Sequence, residues 1–223
     1  MEESLKFVIV GHIDHGKSTL IGRLLYDTGS LPEDKIMEMK KASEKFGKDA
    51  EFSFLLDHLE EERKKGITID TTQTYFRTKK REYVIIDAPG HREFIRNMVT
   101  GTSKAEAGVL IIDASEGIKE QTRRHGYILS LLGISQVIVV FNKMDIVDYS
   151  KEIFENLKEK VKNFFNEIGI EPLFYIPVSA LKGENITKNS EKMAWYKGPS
   201  FVESLELINK VKIPNDLLVF PVQ

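Results

Sequence analysis

Short apolar runs rich in β-branched residues alternate along this chain with longer stretches in which apolar positions recur every three or four residues. The runs at 6–10, 83–87, 108–113, 136–142 and 174–177 have little internal polarity, which predicts strands buried on both faces. Residues 71–77 instead alternate polar with apolar, and the turn-forming Thr78-Lys79-Lys80-Arg81 follows, so this segment is expected to hairpin with 83–87. Helical spacing runs through 17–25, 93–100, 120–132, 151–167 and 201–209. Strands alternating with amphipathic helices predict an α/β fold: three layers, α/β/α, around a mostly parallel sheet with one antiparallel edge strand.

Two regions break the alternation. Between Asp27 and Gly66 lies a long insertion rich in Lys and Glu, with helical periodicity over 33–46 and again over 54–65. It reads equally as a solvated helical hairpin or as a segment that closes over a ligand. The end of the chain, from Lys210, has the character of a linker through Asp216 and then of a new apolar unit.

Composition narrows the class. Hydrophobic residues make up 41% of 223, enough for one well-buried α/β domain. The formal net charge is only −2, which gives no global attraction to nucleic acid. There is no cysteine, which excludes disulfides, thiolate metal sites and cysteine nucleophiles. Met1-Glu2-Glu3-Ser4 is acidic and not a signal sequence, and no apolar run approaches bilayer length, so a soluble cytoplasmic protein is expected.

The chemistry begins with Gly11-His12-Ile13-Asp14-His15-Gly16-Lys17-Ser18, which reads G-x-x-x-x-G-K-[ST] between a predicted strand and a predicted helix. The glycines allow a curled loop whose N–H groups point at phosphate oxygens, and the helix N-terminus adds partial positive charge. The pattern predicts a phosphate loop, and with it the fold of a P-loop NTPase. Candidate contacts run through His12, Ile13, Asp14, His15, Gly16, Lys17, Ser18 and Thr19, with Lys17 reaching the β/γ-phosphates and Ser18 offering its hydroxyl to Mg²⁺. Alone, such a stretch could be a tight strand-to-helix turn.

The rest of the chain decides between those readings. Asp87-Ala88-Pro89-Gly90 follows a strand; Asp87 is placed to hold Mg²⁺ through water and the Gly90 N–H to touch a γ-phosphate. Thr68, in Gly66-Ile67-Thr68-Ile69-Asp70, can give its hydroxyl to Mg²⁺ and its N–H to the γ-phosphate, so that loss of that phosphate releases the segment. Asn142-Lys143-Met144-Asp145 closes another strand. The Asp145 carboxylate can accept both N1–H and the 2-amino group of guanine, a donor pair adenine lacks. Asn142 is expected to tie the base to the phosphate loop, the Lys143 stem to pack on the purine, and Ser179-Ala180-Leu181 to complete the pocket with the Ala180 N–H on guanine O6. In this order, each at a strand's C-terminal end, the elements point to a guanine-nucleotide-binding domain.

With these motifs the sequence resembles the translation-factor class of GTPases, the superfamily of elongation factors Tu and 1-alpha, over essentially the whole chain. The resemblance implies bound GTP or GDP with Mg²⁺, and that His91, directly after Asp87–Gly90, orients the attacking water. Ile13 and Ile67 would gate His91, and Asp14 matches a position that supports a monovalent cation in related GTPases. Lys17, Thr68 and His91 are thus the expected catalytic residues. Within the class, residues 20–28, 121–126, 142–149 and 190–199 look most like the GTPase large subunit of sulfate adenylyltransferase, and the short segment 113–120 agrees. His15 and the residue after Asp87 look instead like those of elongation factors. Phe220-Pro221-Val222-Gln223 resembles the first strand of the β-barrel that follows the GTPase domain in this class. The expected organisation is therefore a nucleotide-binding domain over 1–209, then a linker and barrel start over 210–223.

The resemblance implies a partner-stimulated GTPase whose activating partner is the catalytic subunit of sulfate adenylyltransferase. Its alternative is an elongation- or release-type factor working with ribosome and tRNA. A GTP-binding scaffold that does not hydrolyse is the reading from another class, and His91 argues against it. Arg63, Arg92 and Arg96 read as surface residues and not as a built-in arginine finger.

Overall fold

The computed structural model describes residues 4–12, 14–31, 73–87 and 105–209, together with Glu33 and Met37. Six strands form one sheet: β1 (Leu5–Gly11), β2 (Gln73–Arg77), β3 (Glu82–Asp87), β4 (Ala107–Asp113), β5 (Val137–Asn142) and β6 (Phe174–Pro177), in the order β2-β3-β1-β4-β5-β6. Only the β2–β3 pair is antiparallel, joined by the expected turn in which the Thr78 N–H donates to the Arg81 carbonyl at 3.0 Å. The helices are α1 (Lys17–Asp27), α2 (Glu120–Leu131), α3 (Lys151–Glu167) and α4 (Phe201–Glu206). The helix expected over 93–100 lies outside the described residues, as does nearly all of the insertion.

Alternation along the strands makes the two cores. Leu5, Phe7 and Ile9 of β1 face the side covered by Leu20 and Leu24 of α1 and by Phe201 and Leu205 of α4. Val8 and Val10 face the other side, against Leu129 of α2 and Phe154, Val161 and Phe165 of α3. Each fully buried large apolar side chain is worth about 1.5–3 kcal/mol in area removed from water. The edge strand β2 is held by rings: Phe76 stacks on Tyr83 at 4.6 Å between centroids, and Phe7 meets both edge-on. Among the described residues no helix is long and apolar enough to cross a membrane.

Helix ends follow the capping chemistry in the sequence. Ser150 opens α3, its Oγ accepting from the Ile153 N–H, and Gly169 closes it at φ +71° while the Ile170 N–H returns to the Phe165 carbonyl at 3.1 Å. Ser200 and Glu203 form a capping box at the start of α4. That helix stops at Glu206, short of the expected Asn209. The Arg81 guanidinium takes the carbonyls of Glu206 and Ile208 at 2.9 and 3.1 Å. Gln136 pairs with both the N–H and the carbonyl of Asn209, so partners from the sheet replace a further helical turn.

With α1 on one face and α2 and α3 on the other, the winding reverses between the neighbouring strands β1 and β4. Open α/β sheets bind their ligands in the crevice at such a reversal, beyond the strands' C-terminal ends.

Candidate nucleotide-binding site

The loop between β1 and α1 turns through Asp14, exposed and at φ +65°, and Gly16, at φ +90°. Lys17 is buried, and its Nζ donates to the carbonyls of Gly11 at 2.8 Å and His12 at 3.0 Å, closing the loop around the ammonium. Among the described residues no side chain caps the N-terminus of α1, and its first turn holds no acidic residue. The partial positive charge of that end is thus left to an anion, and Ser18 and Thr19 stand half-buried in the same turn. This donor set, an ammonium beside an uncapped helix end, fits a polyphosphate.

The loop's imidazoles are structural. His12 Nδ1 lies 2.9 Å from Gln121 Oε1 on α2. His15 is fully buried with Nδ1 3.4 Å from the Ile111 carbonyl and Nε2 3.8 Å from Glu116, and the two rings meet edge-on. Burial chiefly lowers the pKa of His15. These contacts leave the loop's backbone, and not the His12 and His15 rings, as what it can offer a phosphate.

At the other end of the crevice, Asn142 finishes β5 and bridges two loops. Its Nδ2 donates to the His15 carbonyl at 2.9 Å, and its Oδ1 accepts from the Ala180 N–H at 3.0 Å. A Cβ on Gly16 would come within 2.3 Å of that same Nδ2, so the bridge requires glycine there. The Ala180 amide, foreseen on guanine O6, donates in this structure to Asn142 Oδ1. Leu181 is exposed, with its carbonyl 3.5 Å from Arg23 of α1. Asp145 is half-buried, and Ser179 Oγ donates to its Oδ1 at 2.5 Å, which fixes the carboxylate's orientation. Lys143 holds φ +62°, and its Nζ pairs with Asp113 Oδ2 at 2.7 Å.

Asp113 was not foreseen from the sequence. It ends β4, is 1% exposed, and also accepts from Ser115 N at 2.8 Å and Ser115 Oγ at 2.6 Å. Burial pushes its carboxyl upward, but the bonds from Lys143 and Ser115 outweigh burial and hold it below the usual range. Gln121 and His125 were likewise unforeseen; four apart on α2, they share the face turned to the phosphate loop, a signal the spacing carried. His125 is almost wholly buried, and burial first, then Lys17, His12 and His15, push its pKa down to about 4.

Asp87 is the last residue of β3, and its backbone pairs in register with Ile9, so the strand ends beside the start of the phosphate loop. Ile13, Thr68, Gly90 and His91 lie outside the described residues. Among the described residues no group of three His, Asp or Glu side chains is arranged around a metal position.

Residues 2–212 match the elongation factor Tu GTP-binding domain family. The elongation factor 1-alpha of Pyrococcus furiosus is 46% identical over 220 residues, 98% of this chain but 51% of that relative, so the chain spans about half the length of the curated relatives it matches. Among solved structures, Sup35 complexed with GDP superposes with a TM-score of 0.66 at 29% identity, over 92% of this chain and 45% of that one. A bacterial selenocysteine-specific elongation factor gives 0.59 at 28%, over 93% and 29%. These likenesses support the translation factors, and not the particular closeness to sulfate adenylyltransferase expected from residues 20–28, 121–126, 142–149 and 190–199. A matched family across nearly the whole chain places it: the chain belongs to the elongation factor Tu GTP-binding domain family, the GTPases of the translation-factor class.

Proposed function

We propose that this chain is the GTP-hydrolysing switch of an elongation- or release-factor-like protein that works with the ribosome and a tRNA-like partner. The observation that carries the reading is the pairing, in one crevice, of an uncapped α1 N-terminus beside Lys17 with an Asp145 carboxylate aimed by Ser179. The 46% identity to elongation factors 1-alpha supports the translational branch.

Lys17 and the loop amides stabilise charge on the β/γ-phosphates, and Asp145 selects guanine. Ser18, Thr68 and Asp87 would hold Mg²⁺, which when bound neutralises charge between the phosphates. His91 aligns the attacking water. Positioning and charge stabilisation do nearly all the work, so turnover by the chain alone is slow.

Single-turnover GTP hydrolysis, with and without ribosomes, tests this. Slow intrinsic hydrolysis, stimulation by ribosomes, and a loss of roughly two orders of magnitude in His91→Ala with GTP binding kept are the expected results. Hydrolysis indifferent to ribosomes overturns the translational reading; GTP binding with no hydrolysis under any condition identifies a scaffold. A second reading, the GTP-binding subunit of sulfate adenylyltransferase, rests on the resemblance of residues 20–28, 121–126, 142–149 and 190–199 alone. Stimulation by that enzyme's catalytic subunit, and not by ribosomes, is its signature.

A further inference from the structure

The segment after Ser179-Ala180-Leu181 lies beyond the nucleotide motifs, yet it holds a buried side chain bonded to several elements around the base pocket. Asn185 is 1% exposed and holds φ +58°, a conformation that asparagine tolerates better than most residues. Its Nδ2 donates to the Pro177 carbonyl at the end of β6 at 2.8 Å, and its Oδ1 accepts from the Ser190 N–H at 2.6 Å. Its own carbonyl accepts from the Phe201 N–H at 2.9 Å, at the start of α4. One residue thus ties together the end of a core strand, the turn at Ser190 and the first turn of a helix.

That anchorage passes to the base-reading carboxylate in two steps. The neighbour Glu184 exchanges both backbone hydrogen bonds with Ser179, at 3.0 and 3.2 Å. Ser179 in turn aims Asp145. The same segment reaches the loop on the other side of the base: Lys192 pairs with Glu184 at 2.9 Å and lies 5.1 Å over the Tyr149 ring, and Trp195 bonds the Tyr149 carbonyl. Both loops that flank the base are therefore braced from one side by residues 184–195, with Asn185 as the buried pin.

We infer that Asn185 is a positioning residue for guanine selectivity: by fixing Glu184 against Ser179 it holds the Asp145 carboxylate in the orientation that accepts N1–H and the 2-amino group together. The inference rests on the guanine reading of Asp145. With the pin removed, the carboxylate keeps one contact and loses the geometry for two. Affinity for guanine then falls toward that for hypoxanthine, which has N1–H and lacks the 2-amino group.

Equilibrium binding of GDP and IDP to the full chain and to Asn185→Gly tests it, with thermal melting alongside. Glycine keeps the left-handed φ and removes the side-chain bonds to Pro177, Met193 and Ser190. The expected result is a GDP-to-IDP preference reduced roughly fivefold, the worth of about one hydrogen bond, mainly through weaker GDP binding. Asn185→Asp, which keeps an acceptor for Ser190 and loses the donor to Pro177, reads the same ratio if the glycine variant does not fold, and should reduce it too. Equal weakening of GDP and IDP means a merely structural role and overturns the inference, as does an unchanged ratio. An unmutated chain with no preference for GDP over IDP overturns instead the guanine reading beneath it.

Discussion

The imidazoles of His15, within the phosphate loop, and of His125, on α2 beside it, are pushed toward the neutral form by burial, and this gives the fold a defined response to acid. His125 is the clearer case, its pKa pushed down to about 4 from an ordinary 6.5. The unfolded chain therefore binds a proton between pH 6.5 and 4 that the folded chain refuses. The stability at stake is fully present above pH 6.5 and falls as the pH drops through this window, with a limiting slope of about 1.4 kcal/mol per pH unit. His125→Leu removes the titrating group while keeping the volume. Its denaturation midpoints should fall less steeply than those of the parent between these two values, and an unchanged slope would show that the histidine titrates freely in the fold. Asp113 was not legible as part of the site, and the spacing of His125 after Gln121 marked only a shared helix face, because the role of each depends on neighbours brought in from other elements. Lys17, Asn142 and Asp145 were legible because their spacing after a strand already states their chemistry.

Elements were easier to read than side chains, since burial on two faces or one leaves a pattern that does not depend on the partner's identity. The strands β1, β3, β4, β5 and β6 and the helices α2 and α3 lie within a residue of their expected bounds. The end of α4 was misread because hydrophobic periodicity continues through Ile208, while Arg81 and Gln136, far away in sequence, supply the partners that end the helix. The end of α3 is set locally by Gly169. Beyond its chain neighbours, no atom of the described residues lies within 4 Å of where a Cβ would stand there, so Gly169→Ala costs only the left-handed backbone, about 1 kcal/mol, and leaves nucleotide affinity unchanged. Denaturant titration measures this; a loss several times larger would mean that the turn after α3 carries packing of its own.

For the molecule as a whole, the site is a product of topology. The reversal between β1 and β4 opens the crevice, α1 directs its N-terminus into it, and the ends of β4, β5 and β6 bring Asp113, Asn142 and Ser179 to its other end. Asn142 joins the two halves, bonding the phosphate loop and the Ser179-Ala180-Leu181 loop at once. The order of the motifs made that assembly legible. The bracing through Glu184 and Asn185 was not, because the Glu184–Ser179 link is made by backbone groups that any residue supplies and the Asn185 side chain meets backbone groups of Pro177 and Ser190 that only the fold brings to it. The account's central claim is that Asp145 makes this crevice a guanine site. Equilibrium binding of GDP and XDP to the parent and to Asp145→Asn tests it most directly: the parent should prefer GDP, and the variant, its acceptor exchanged for a donor, should prefer XDP. A folded variant that still prefers GDP would contradict the claim.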